Sequence, residues 1–209
     1  MKLFTYDAAP NPRRVNLFMA CKGIRLPTQQ VDLRKNEHLG AEYRAICPRC
    51  IVPALQLDDG TVLCDGIAIC WYLERIHPDK PLLGVDPVRQ AEVLSWDHYI
   101  FGDGIQAVAE ALRNGHPAFK DRALTGPDPV PQIPQLEARG RQRLAAFWRH
   151  LEEHLRGRSF IVGDSMTLAD IDAFVLAGFA GWIKERVPET LPQLREWHRR
   201  IEESLPQSA

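Results

Sequence analysis

The chain has 209 residues, with 26 Lys and Arg against 27 Asp and Glu and a formal charge of -1. That balance supplies neither the counterion release behind nucleic-acid binding nor a polybasic attraction to anionic lipid, and it argues against both partner classes. At 45% hydrophobic and 25% charged the composition is that of a folded chain rather than a disordered one, and a chain of this size buries about 70% of its unfolded surface.

The longest uncharged apolar run, Ala173 to Ile183, has 11 residues, short of the ~20 that cross a membrane, so a buried helix is expected there. Lys2 is followed by only a brief apolar stretch before Asp7, with no signal-peptide core. A cytoplasmic protein with its five cysteines reduced is the expectation.

In chain order, residues 2–6 read as a strand, 12–22 as a helix stopped by Gly23, 28–32 as a second strand and 39–45 as a second helix. Residues 54–57 and 61–63 flank Asp58-Asp59-Gly60, an Asp-Gly hairpin signal. A helix over 66–76 closes the unit. The order βαβαββα predicts a small α/β domain over 1–78. The Pro-rich stretch 79–87 reads as a linker, and 88–209 carries no convincing strand, which predicts an all-α second domain.

In that second domain, 88–114 is a long helical pattern loosened at Gly102 and Gly104. Residues 136–156 place Leu144, Phe147, Leu151 and Leu155 at helical spacing. Between them, 115–135 holds Pro117, Pro127, Pro129, Pro131 and Pro134 and reads as either a functional lid or a mobile loop. The sharpest local signal is Thr167 followed three residues on by Asp170, a capping box, with Met166 placed to staple onto Ile171. Ile171, Phe174, Val175 and Gly178 are the expected inner face.

The first candidate for chemistry is the loop before the first helix, Ala8-Ala9-Pro10-Asn11-Pro12-Arg13-Arg14. Pro12 disfavours helical geometry at Asn11 and suits the first helical position, which makes Asn11 the expected N-cap. Asn11 is then a plain cap, or part of a helix start whose N–H groups, dipole and amide stabilise an anion or thiolate. Arg13 and Arg14 oppose the dipole, which favours a nearby anion.

Cys47-Pro48-Arg49-Cys50 has the spacing of a redox motif, but it follows the second helix, and a helix C-terminus disfavours a thiolate. Zinc would need a fourth ligand beyond Cys47, Cys50 and Cys64, so no metal is expected. Cys21 and Cys70 read as core.

Taken together, the proline-rich loop before Arg13-Arg14-Val15, Ile46-Cys47-Pro48-Arg49-Cys50-Ile51-Val52-Pro53-Ala54-Leu55, Asp59-Gly60 followed by Asp65-Gly66-Ile67-Ala68-Ile69, and the segment 163–170 resemble the cytosolic glutathione S-transferases. The resemblance implies a thioredoxin-like domain that binds glutathione as cosubstrate and a helical domain that builds the pocket for an electrophile. It implies a cis bond between Val52 and Pro53, with the Val52 backbone pairing with the cysteinyl part of glutathione. Asp65 would hold the γ-glutamyl amine, Gly66 N–H its carboxylate, and His38 the glycyl carboxylate.

The family's usual Ser near the thiol falls on Ala9, and some bacterial members are similar in using Asn at the position of Asn11. Gly66 stands for a usual Ser, Cys47 and Cys50 for Asn and Gly, and Ile51 for a residue that is often polar. Trp96, Tyr99 and Phe101 fall on the helix that lines the second-substrate pocket in the family, or are core. The implied function is glutathione thiolate attack on a small hydrophobic electrophile or a peroxide, in a homodimer with a detoxification role. The alternatives are a non-catalytic binding or regulatory protein with this fold, and a glutathione-dependent disulfide reductase.

Overall fold

The structure is a computed structural model that describes residues 1–206. Its contacts divide the chain into two units, Met1–Lys80 with Thr125–Asp128 and Pro206, and Pro81–Leu124 with Pro129–Leu205. The first unit has the expected βαβαββα order: β1 Lys2–Thr5, α1 Pro10–Lys22, β2 Thr28–Gln30, α2 Ala41–Ile46, β3 Ala54–Gln56, β4 Val62–Cys64 and α3 Gly66–Ile76. The four strands form one sheet in the order β2-β1-β3-β4. β1 pairs parallel with β2 and antiparallel with β3, while β3 and β4 form the hairpin with Ala54 opposite Cys64.

The sheet is anchored by Leu3, Phe4 and Thr5 of β1 and by Ala54 and Leu55 of β3, all buried. β2 is polar and exposed along its length, as an edge strand that avoids pairing with another chain should be. α1 buries Val15, Leu17, Phe18 and Met19 and ends at Gly23, whose left-handed φ of 71° lets its N–H reach the Ala20 carbonyl.

The second unit is helical: α4 Pro87–Tyr99, a π-helical segment Ile100–Ile105, α5 Gln106–Gly115, α6 Gln135–His154, α7 Leu168–Ala180 and α8 Pro192–Ser204. The expected loosening at Gly102 and Gly104 is this π-helical turn. Gly104 allows it to press on α7, since a Cβ there would lie 2.3 Å from Leu176 Cδ2. Leu82 and Leu83, in the expected linker, are buried, and the Leu82 carbonyl accepts from Leu168 N–H at 2.7 Å.

α7 is buried from Leu168 through Leu176 on every side, so it is the core helix of this unit rather than a one-faced one. Gly178, expected on its inner face, is exposed. The start of α7 is fixed by Asp170, whose carboxylate accepts from Ile161 N–H (2.9 Å), Thr167 N–H (2.9 Å), Thr167 Oγ1 (3.1 Å) and Trp197 Nε1 (2.9 Å). Trp96, Tyr99, Phe147 and His154 form an aromatic cluster, and Tyr99 Oη is 2.8 Å from His150 Nδ1.

The proline-rich connection is tied down rather than loose. Arg113 donates to the Arg122 and Leu124 carbonyls, and Gln132 Nε2 donates to the Arg113 and His116 carbonyls. Asn114 Oδ1 accepts from Ile133 N–H, and Arg122 bridges Val130. Burial of the Arg113 guanidinium, with Arg122 nearby, pushes its pKa down to about 10. Among the described residues no helix is long and apolar enough to cross a membrane.

Candidate active site

The start of α1 lies two residues earlier than Pro12 suggests. Ala9, extended at φ -83° and ψ 147°, is the N-cap, and Pro10 takes the first helical position. Asn11 is therefore not the cap but the second helical residue. Pro10's fixed φ starts the helix at once, and Pro12 is tolerated because a first-turn N–H has no intrahelical acceptor to lose. Asn11 Oδ1 is buried without a hydrogen-bond partner. A half-turn about its last torsion brings the Nδ2 donor to the same place.

The start of α3 packs directly on this turn. A Cβ built on Gly66 would stand 3.2 Å from Arg14 Cδ and 3.5 Å from the Asn11 carbonyl oxygen. Arg14 is 5% exposed, and its stem covers Gly66. Arg13, beside it, is exposed. Pro10 and Pro12 carry no N–H, so the α1 start contributes the Asn11 N–H alone, beside the start of α3, where the two helix dipoles favour an anion.

The Val52–Pro53 bond is cis. Because Ala54 is opposite Cys64, Val52 and Pro53 run beside Asp65 and Gly66. Among the described residues the Val52 N–H and carbonyl make no backbone–backbone hydrogen bond. The loop before them is pinned by Tyr43, whose hydroxyl donates to the Ile51 carbonyl at 2.6 Å. Burial pushes the Tyr43 pKa up, which keeps that proton in place.

Asp65 caps α3 in the left-handed region, at φ 91°, an unfavourable conformation for a residue with a side chain. Its carboxylate accepts from Arg49 Nη1 at 2.5 Å. Both side chains are largely solvent-exposed, so the pair is weak, at most about 1 kcal/mol, and an incoming ammonium group can compete for the carboxylate. His38 sits in the 3₁₀ turn Glu37–Leu39 at 6% exposure, which leaves little ring surface for a ligand. Asn11, Val52, Pro53, Asp65 and Gly66 are thus brought together, while His38 is packed inward.

Cys47 and Cys50 do not face each other. Cys50 adopts a left-handed φ of 53° and points its thiol at the Pro48 carbonyl, 3.6 Å away. That backbone is one in which glycine would carry no penalty. Cys47 Sγ instead lies 3.1 Å from Cys64 Sγ. Cys70 is buried as expected, whereas Cys21 is only half-buried. Among the described residues no three His, Cys, Asp or Glu are grouped to hold a metal ion.

Sequence reasoning missed the Arg49–Asp65 pair, the Arg14 stem over Gly66 and the Cys47–Cys64 contact. The strand read over 61–63 stops one residue short of Cys64, which ends β4, and nothing local marks Cys47 as its neighbour.

Residues 8–76 match the model of the glutathione S-transferase N-terminal domain and residues 134–200 that of the C-terminal domain. Glutathione S-transferase GstA of Escherichia coli O157:H7 is 33% identical over 158 residues, 74% of this chain and 70% of that protein. The chain belongs to the glutathione S-transferase family. Glutathione S-transferase 2 of Saccharomyces cerevisiae is 28% identical over 207 residues, covering 97% of this chain and 86% of the yeast protein. A solved glutathione S-transferase domain-containing protein from Marinobacter aquaeolei VT8 superposes with a TM-score of 0.88 at 29% identity, covering 96% of this chain and 97% of that one. The glutathione S-transferase fold therefore extends over both units.

Proposed function

We propose that this protein is a glutathione transferase in which the α1 start activates the thiol of bound glutathione. The observation that carries the reading is the buried, unpartnered amide oxygen of Asn11 beside the abutting starts of α1 and α3. A sulfur held there meets the Asn11 side-chain amide, its Nδ2 turned towards it, and the positive ends of two helix dipoles, which favour thiolate over thiol. The thiolate then attacks an electrophilic carbon of a small hydrophobic substrate, or the O–O bond of a peroxide.

Val52 offers backbone groups to the cysteinyl part of glutathione, Asp65 a carboxylate to the γ-glutamyl ammonium, and Gly66 N–H a donor to the γ-glutamyl carboxylate. His38 contributes least, given its burial. We place the protein in the cytoplasm as a homodimer.

Asn11→Ala tests the assignment. The expected result is a fall in kcat of about 10–100-fold with an activated chloroaromatic, with glutathione affinity changed less than about threefold. The ultraviolet thiolate absorbance of the glutathione complex should fall in parallel. An unchanged kcat refutes the role of Asn11, and failure of the wild-type protein to bind glutathione supports the non-catalytic alternative.

A further inference from the structure

We propose that Cys47 and Cys64 form an oxidisable dithiol, which a hydroperoxide converts to an intramolecular disulfide. Their sulfurs are 3.1 Å apart, so forming the bond requires a further approach of about 1 Å. Each cysteine sits on fixed backbone. Cys47 closes α2 with its N–H on the Tyr43 carbonyl at 2.8 Å, and Cys64 ends β4 in register with Ala54. The inference does not depend on glutathione binding, although the loop it would close carries Val52 and Pro53 and ends one residue before Asp65.

Exposure decides the order of events. Cys47 is fully buried and Cys64 only partly, so the peroxide meets Cys64 first. The Cys64 thiolate attacks one peroxide oxygen, the O–O bond breaks and the alcohol or water leaves, which gives a sulfenic acid at Cys64. Cys47 sulfur then attacks Cys64 sulfur, the S–O bond breaks, and water departs with the Cys47 proton. Two thiols lose two electrons and two hydrogens, and the peroxide is reduced.

Tyr43, Cys47, Asp65 and Arg49 are the titratable and charged groups that act on Cys64. Burial and the hydrogen bond shared with Cys47 push its pKa up to about 12, against a small opposing pull from Arg49. The resting Cys64 is therefore a protonated thiol, and its oxidation is slower than that of a low-pKa sensor cysteine.

The test uses the full chain exposed to hydrogen peroxide, then denatured and alkylated without reductant. The expected results are a mass loss of about 2 Da, from two hydrogens, and loss of two alkylatable thiols out of five. A Cys47–Cys64 cross-linked peptide should appear, and Tm should rise by about 5–10 °C because a loop of this length is closed in the unfolded chain. Cys64→Ser abolishes the mass loss and Cys50→Ser leaves it intact. Oxygen addition without a cross-link, no reaction, or a disulfide that requires Cys50 would overturn the proposal. Peptide mapping of the wild-type protein gives the same decision if a serine variant fails to fold.

Discussion

Replacing Asp170 by Ala removes the acceptor for four donors at once. Two are backbone N–H groups, of Ile161 and Thr167, one is the Thr167 hydroxyl and one is the Trp197 indole. The hydroxyl can turn elsewhere, but three N–H groups would be left buried, each costing about 1–3 kcal/mol. Against this stands the relief of desolvating a buried carboxylate. That desolvation raises the Asp170 pKa, with the donors pulling it back.

The net expectation is a loss of about 3–5 kcal/mol, as when one partner of a buried charged network is removed. For a chain of this size that lowers Tm by roughly 10 °C. Trp197→Phe removes one donor and leaves the carboxylate three others, so about 1 kcal/mol is expected. Urea and thermal unfolding followed by circular dichroism measure both. A loss under about 1 kcal/mol for Asp170→Ala would refute the view that this carboxylate organises the start of α7.

Three further outcomes follow from packing and titration. Gly140→Ala should destabilise by about 2 kcal/mol in urea unfolding, despite the better helix propensity of Ala. A Cβ there would lie 2.5 Å from the Ala107 carbonyl oxygen and 2.8 Å from Ala111 N, so a gain in stability would contradict the close approach of α5 and α6. His198 is stacked on Phe174 at 4.9 Å, and burial lowers its pKa below 6.5, partly opposed by Glu202. The unfolded chain then takes up the proton first, and stability falls as pH drops from about 6.5 through the lowered value. His198→Phe should flatten that slope in urea midpoints compared at neutral pH and near about pH 5, and an unchanged slope would assign it to another group. Asn114→Ala leaves Ile133 N–H without its acceptor. It should speed limited proteolysis within 117–131 severalfold, and an unchanged cleavage rate would mean that the connection is held by Arg113 and Gln132 alone.

The sequence alone determined the order of elements, the bounds of α3 and the Thr167–Asp170 pair, because these signals lie within one helical turn or one hairpin. Through its resemblance to the family it also pointed to Asn11, His38, Val52, Pro53, Asp65 and Gly66. Tertiary structure decided which neighbours those residues have. Ala9 rather than Asn11 caps α1 because Pro10 starts the helix first, and Cys47 faces Cys64 because the β3–β4 register brings the end of β4 back to α2. Asp65 meets Arg49, and Gly66 lies under Arg14, for the same reason. Local propensity acts over a few residues, whereas these contacts depend on strand register and helix packing, and no short-range pattern encodes them.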